Sequence, residues 1–314
     1  MILKKGNSIK SDIFVISEEV RNALSENKAI VSLESNVLTH GLRYPLNIET
    51  ILKMESSIRA KGAVPATIYI DNGKIVVGSN LSIIEKFSND QSIVKVSSRD
   101  IGSILAKKES GATTVSASLV CSDMLGIEFF SSAGLGGVHR EASQTFDISS
   151  DLVQISRCNT NIICAGVKNI LDIGLTLEFL ETHCVPVLTY QSEKFPAFFC
   201  QDSGFKSPCN IEDINTLCRI LMMNKNLNLK GGSVIAVPPL LSDSLDSELL
   251  KDIIRLAIEK SKEENVSGKN VTKFIMRELE EKTSGMTSKA NANVLISNAT
   301  FAAEIAYKYK ELNK

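Results

Sequence analysis

The chain has 314 residues, 43% of them hydrophobic, which is enough apolar material to bury a substantial core. Its 35 Lys and Arg stand against 36 Asp and Glu, and the formal charge of -1 supplies no global field for drawing in nucleic acid or an anionic membrane, leaving only local anion sites. Seven scattered cysteines without a close CxxC pair argue against a disulfide framework and for mostly buried thiols in a reducing, cytoplasmic compartment, and no apolar run is long enough to span a bilayer.

From the N-terminus, FVISEEVRNALSEN reads as a short amphipathic helix and KAIVSLES as a strand. A second helix is expected over NIETILKMESSIRAKG. ATIYIDNGKIVVG is a hairpin signal, because Asn-Gly separates two β-rich runs. IVKVSS is strand-like, TTVSASLVCSDMLG helical, and IEFFSSAGLGG a strand running into a glycine-containing loop. ISSDLVQISR, residues 170 to 182 and EDINTLCRILMMNKNL are expected helices, interleaved with the strands NIICAGV, VPVLTY and GGSVIAVPP. SELLKDIIRLAIEKSKEENV, VTKFIMRELEEKTSG and KANANVLISNATFAAEIAYKYKEL complete the chain as helices. This alternation predicts an α/β core with helices covering a sheet, and no repeat or low-complexity linker divides residues 1–314 into separate domains.

Polar motifs fall where the expected strands end, and in open α/β sheets such ends converge on a crevice. Glu34 closes the first of them, a carboxyl that burial would turn into a proton donor or acceptor. Taken alone it reads sooner as a surface, capping or ion-pair residue, since buried carboxylates are uncommon. Lys168 follows the apolar NIICAG; desolvation there would favour the neutral amine, a nucleophile toward a carbonyl, whereas the bland reading is a solvated lysine at a helix start. Lys95 and Arg99 in KVSSRD, with Ser97 and Ser98, offer a phosphate site or a solvated edge strand. In SSAGLGGVHREASQTFDISSDL the glycines permit tight turns and exposed amides, and His139, Arg140 and Asp147 add proton-transfer, anion and metal-binding groups. The segment is neither a Walker A motif nor a complete dinucleotide fingerprint. Asp147 suits Mg²⁺ or Mn²⁺ with waters and ligand oxygens completing the shell. Cys164 reads as a core thiol.

Taken in order, SLESNVLTHGLRYPLN, GAVPATIYIDNGKIVVG, KVSSRD, GATTVSASLV, GLGGVHREASQTFDISSDL, CAGVKNILDIGLTLEFLETHCVPVLTYQSEKFPAF and GKNVTKF resemble the pseudouridine-5'-phosphate glycosidase, or indigoidine synthase A-like, family across nearly the whole chain. The resemblance implies a three-layer α/β/α architecture around a predominantly parallel or mixed sheet, and a homotrimer. It implies reversible cleavage of pseudouridine 5'-phosphate to uracil and ribose 5-phosphate, with Glu34 as acid/base and Lys168 forming the covalent sugar adduct. It further implies Lys95, Val115, Ser149, Ser150, Asp151, His139 and Asn291 as substrate-binding positions and Asp147 as the ligand of a divalent metal, manganese. A noncatalytic sugar-phosphate-binding protein and another lysine-dependent sugar-phosphate lyase are the competing readings.

Three departures from the family pattern stand out: Asn36 where Glu-Ser-Thr is usual, Ala133 and Glu141 in the loop usually written TGGIGGVHRG, and SKANANVL in place of a SLEANIAL-like phrase that keeps Asn291.

Overall fold

A computed structural model describes residues 11–264, 266 and 270–313; Gly268 and Lys269 of the GKNVTKF motif lie outside the described residues. Eleven strands form one sheet: β1 (Phe14–Ile16), β2 (Ile30–Glu34), β3 (Val64–Asp71), β4 (Lys74–Val77), β5 (Val94–Val96), β6 (Gly111–Thr113), β7 (Phe129–Ser131), β8 (Asn161–Cys164), β9 (Val187–Tyr190), β10 (Asn210–Ile211) and β11 (Val234–Ala236). The main path runs β1-β4-β3-β2-β7-β8-β11-β9-β10, with β6 attached to β3 and β5 to β6. Among these described strands, β3 pairs antiparallel with β4 and with β6, and the other pairings are parallel.

Side chains alternate across a strand, so each face of the sheet carries its own core. Ala66, Ile68 and Ile70 of β3 join Val20, Ala23, Ala117 and Cys121 from the Glu18–Ser25 and Val115–Leu125 helices. Tyr69 of the same strand joins the opposite core, which contains Ile51 and Ile58 of the Leu46–Ala60 helix and Leu295, Ala299 and Ala303 of the Met286–Leu312 helix. Helices on both faces of one sheet give the three-layer arrangement expected from the resemblance.

The expected hairpin is present, with Asn72 (φ 48) and Gly73 (φ 73) in the left-handed conformation that its tight turn needs. The first expectation needs correction. Phe14–Ile16 is a strand paired with β4, and the helix starts only at Glu18 behind the Ser17 cap. Three residues beside a sheet edge gain ladder hydrogen bonds there, and the periodicity of so short a run cannot tell strand from helix. The two-residue β10 and three-residue β6 were likewise not expected, for the same reason.

One feature of the topology creates the site. β3 is longer than β2; its first part pairs parallel with β2 up to Glu34↔Ile68, and its remainder pairs antiparallel with β6 at Tyr69↔Ala112 and Ile70↔Gly111. β2 and β6 therefore run toward each other and meet end to end, where the Thr113 amide donates to Ser35 Oγ at 2.9 Å.

Candidate active site

The ends of β2, β7 and β8 lie side by side, so Glu34, the loop from Ser132 and the turn carrying Lys168 leave the sheet together. Backbone bonds tie the two loops: Ala165 N donates to Ala133 O (2.8 Å), Leu135 N to Gly166 O (2.9 Å) and Lys168 N to Leu135 O (3.2 Å). Lys168 is half-buried, as its apolar approach suggested. Desolvation pushes the Glu34 carboxyl above its ordinary range; Lys168, a hydrogen bond from Ser132 and Lys95 pull it back, while the Asp151 carboxylate adds to the rise. Four ionisable groups far apart in sequence thus share one electrostatic environment.

Lys95 projects from β5 on the side opposite buried Val96. Although the residue is exposed overall, crowding around its amine lowers its pKa by desolvation first and by Lys168 next, against the opposing pull of Asp151 and Glu34. Arg99 is not drawn in: its side chain is 81% exposed and its ion-pair partner is the adjacent Asp100. The phosphate reading of KVSSRD therefore loses its arginine, which points off the turn into solvent.

Asp151 is buried, and its two oxygens accept from the Ser116 amide (3.0 Å) and the Gly136 amide (3.0 Å). Ser116 is in the first turn of the Val115–Leu125 helix, whose Thr114 cap accepts no backbone N–H on its side chain, so Asp151 caps that helix from another element. The Gly136 contact explains that glycine: a Cβ there would come within 2.3 Å of Ser149 Oγ and 2.6 Å of Asp151 Oδ2. Ser149 caps its own helix at Asp151 N, and Ser150 Oγ donates to Ser116 Oγ at 3.0 Å. Ser116 Oγ also accepts from the Ser98 amide at 3.2 Å. This hydroxyl, which the sequence did not single out, joins the KVSSRD, GATTV and SSD segments. Val115 packs its side chain into the core, leaving its backbone N–H at the helix start as the group able to face an anion.

His139 and Asp147 lie together, Nε2 to Oδ2 3.7 Å, with the His139 amide donating to Asp147 O at 3.0 Å. Burial depresses the His139 pKa; Asp147 opposes this, and the charges of Lys168 and Lys95 reinforce it. Among the described residues no three His, Cys, Asp or Glu side chains form a metal cage. One half-exposed carboxylate with an imidazole beside it fits a divalent ion that keeps most of its waters, as Mg²⁺ and Mn²⁺ do when they bind through one or two carboxylates.

Asn291 is placed by the course of its helix. Tyr309 stacks edge-on against Phe129 at the start of β7, and Asn298 Nδ2 donates to Ser132 O (2.9 Å) just past the end of that strand. The helix runs antiparallel to β7, so Asn291, two turns or about 10 Å earlier on the same face, overhangs the strand ends. Its Oδ1 is buried without a hydrogen-bond partner, as is Oδ1 of Asn36. Asn298 was also missed in the sequence; a lone amide on an alanine-rich helical face, seven residues after Asn291, was its signal. Ala133 is buried and does not have a positive φ, so its methyl group adds no backbone strain, and Glu141 pairs with Lys262 at the surface. Cys164 is fully buried and its thiol is pushed up to about 12 by desolvation, a core residue as expected.

Fold and site together describe an α/β protein of the enzyme type, with ionisable groups gathered where parallel strands end. The chain belongs to the indigoidine synthase A-like family, whose pattern matches residues 19–308. It is 48% identical over 295 residues to the pseudouridine-5'-phosphate glycosidase of Serratia proteamaculans, covering 94% of this chain and 96% of that one. It is 42% identical over 299 residues to the enzyme of the same name from Brachyspira hyodysenteriae, covering 95% and 97%. Among solved structures, the prealnumycin C-glycosynthase AlnA in complex with ribulose 5-phosphate superposes with a TM-score of 0.90 at 35% identity, over 96% of this chain and 98% of that one. An indigoidine synthase A-like protein from Thermotoga maritima gives 0.86 at 31% identity, over 95% and 97%.

Proposed function

We propose that this protein cleaves pseudouridine 5'-phosphate reversibly to uracil and ribose 5-phosphate, using Lys168 as nucleophile and Glu34 as the proton-transfer group. The observation that carries this reading is the convergence of Glu34 and Lys168, with Lys95 and Asp151, at the ends of β2 and β8. Relatives named pseudouridine-5'-phosphate glycosidase and a neighbour solved with a sugar phosphate support it.

The bond to be broken joins two carbons, so protonating a leaving oxygen or nitrogen, as a two-carboxylate glycosidase does, is not available. An amine solves this. As the ribose ring opens, O4′ departs with a proton and the Lys168 amine bonds to C1′. Uracil C5 then takes a proton from Glu34, the C1′–C5 pair returns to the uracil ring, and the Lys168 nitrogen pair closes an iminium to C1′. Water adds to the iminium, freeing ribose 5-phosphate and the amine. One water is consumed overall. A carboxyl held above its ordinary range is suited to supplying the proton, because it retains one nearer neutrality.

Lys95, the Val115 amide and the Ser149–Ser150 turn are the groups assigned to the phosphate, and His139 and Asn291 to the remainder of the ligand. Asp147, with His139 beside it, would hold a Mn²⁺, which when bound supplies positive charge to the anionic end of the substrate. Asp147→Asn should weaken Mn²⁺ binding at least about tenfold in calorimetry. The free state of all seven cysteines fits a cytoplasmic location, and the assembly proposed is a homotrimer, which sedimentation velocity reads directly.

The deciding experiment incubates the protein and its Lys168→Ala variant with pseudouridine 5'-phosphate and Mn²⁺. Uracil release by the parent alone, with a borohydride-trapped sugar phosphate on Lys168, is expected. A folded, metal-loaded parent that releases no uracil rejects the activity.

A further inference from the structure

Two pairs of sequence neighbours, His139–Arg140 and Lys168–Asn169, divide between two sides of the loops that carry them. His139 and Lys168 act on each other electrostatically on the side of Glu34 and Lys95. Arg140 and Asn169 are joined on another side, where they line a cleft of about 380 Å³ with Asp172, Cys200 and Lys251. There, Arg140 Nη2 donates to the Asn169 carbonyl at 3.0 Å, tying the glycine loop to the turn that holds Lys168. Asn169 extends the tie outward: its Oδ1 accepts from the Phe199 amide at 3.1 Å and its Nδ2 lies 3.5 Å from Cys200 Sγ. The segment it grips presses directly on the Lys168 turn. Phe198 N donates to Ala165 O at 2.7 Å, and a Cβ at Gly166 would come within 2.1 Å of Pro196 O.

Lys168 has a long, rotatable side chain, so the placement of its backbone sets the region its amine can reach. Its amide bonds to Leu135 O and its carbonyl accepts from Leu171 N; neither holds the turn against the outer segment. We infer that Arg140 and Asn169 are positioning residues that aim the Lys168 amine, acting through the backbone from the side away from the reacting groups. The inference rests on the reading of Lys168 as the reacting amine. It assigns a use to a guanidinium that makes no contact with Glu34 or Lys95 and yet adjoins both site loops.

The test separates aim from fold and from catalysis. The full chain and its Arg140→Met, Arg140→Lys and Asn169→Ala variants are treated with limiting trinitrobenzenesulfonate. Modification of Lys168 is then compared with that of exposed Lys53 in the same sample by peptide mass spectrometry. Arg140→Met and Asn169→Ala should change the Lys168-to-Lys53 ratio about threefold or more, and lower kcat for uracil release about tenfold with KM near the parent's. Arg140→Lys, which can still donate to the Asn169 carbonyl, should return the ratio toward the parent value. Arg140 is exposed, so its Met variant is expected to melt with the parent. An unchanged labelling ratio in folded Arg140→Met overturns the inference, as does a Lys variant no closer to the parent than Met. If the parent releases no uracil, the proposed reaction fails, while the labelling ratio still decides whether these residues aim the amine.

Discussion

The Ser132 hydroxyl donates to Glu34 Oε1 at 2.7 Å, bridging the ends of β7 and β2. That bond favours the ionised carboxylate and so works against the desolvation that raises the Glu34 pKa. Ser132→Ala removes a lowering influence and leaves the raising one, so the pKa should rise further. In a kcat/KM profile for uracil release, the inflection belonging to Glu34 should move to higher pH than in the parent. Movement to lower pH would show that the bond stabilises the protonated form instead.

Glu34 also makes stability depend on pH, in the sense opposite to most carboxylates. Its folded pKa lies above the unfolded one, so the native state binds the proton more tightly and stability falls as pH rises through the window between the two values. Glu34→Gln cannot ionise. Its melting temperature, relative to the parent, should therefore improve as pH rises across that window, while uracil release falls by about 10² or more. A difference in melting temperature that stays flat from about pH 4 to 8 would show that ionisation at this position carries no folding cost.

Asp151→Asn should cost more stability than its small change in shape suggests. The carboxylate accepts two backbone N–H groups from different elements; an amide can accept one and turns its NH₂ toward the other. Losing a charge-assisted bond and leaving a buried donor unpaired should cost about 2 kcal/mol or more, a fall of about 4 °C or more in melting temperature. Because Asp151 also raises both Glu34 and Lys95, the loss of its charge should lower both. An Asn variant that melts with the parent would remove the structural half of this role.

The positions of these residues were legible in the sequence as strand ends, while their roles came only from the family resemblance. Glu34, Lys95 and Lys168 each follow or lie within a short β-branched run, and the pattern of parallel strands brings such ends to one edge. What the pattern did not contain was direction. No periodicity reveals that β6 is antiparallel to β3 and meets β2 end to end, since its three residues are too few to carry one. Ser116 and Ser132 escaped notice for a related reason: in a chain rich in serine, a hydroxyl becomes informative only when its partners come from two other segments or from a carboxyl 98 positions away. Arg99 erred the other way, a suitable charge whose turn directs it into solvent.

Asn36 lies close to Glu34 with an unmet hydrogen bond. It follows Glu34 by two residues at the start of the π-helical turn Val37–Gly41, makes no capping bond there, and buries its Oδ1 without a partner. A desolvated amide oxygen left unpaired is a net cost, and threonine, the residue of the family pattern at this position, does not carry that atom. Asn36→Thr should therefore gain about 1 kcal/mol and melt about 2 °C higher in the absence of ligand. The gain should shrink when pseudouridine 5'-phosphate is added if that oxygen accepts a hydrogen bond from the ligand, because only the parent then recovers its lost bond. Melting curves of both proteins, with and without the ligand, distinguish the cases. A variant less stable than the parent without ligand would show that the oxygen is already satisfied, and an equal ligand-induced rise in both would place Asn36 outside the binding surface.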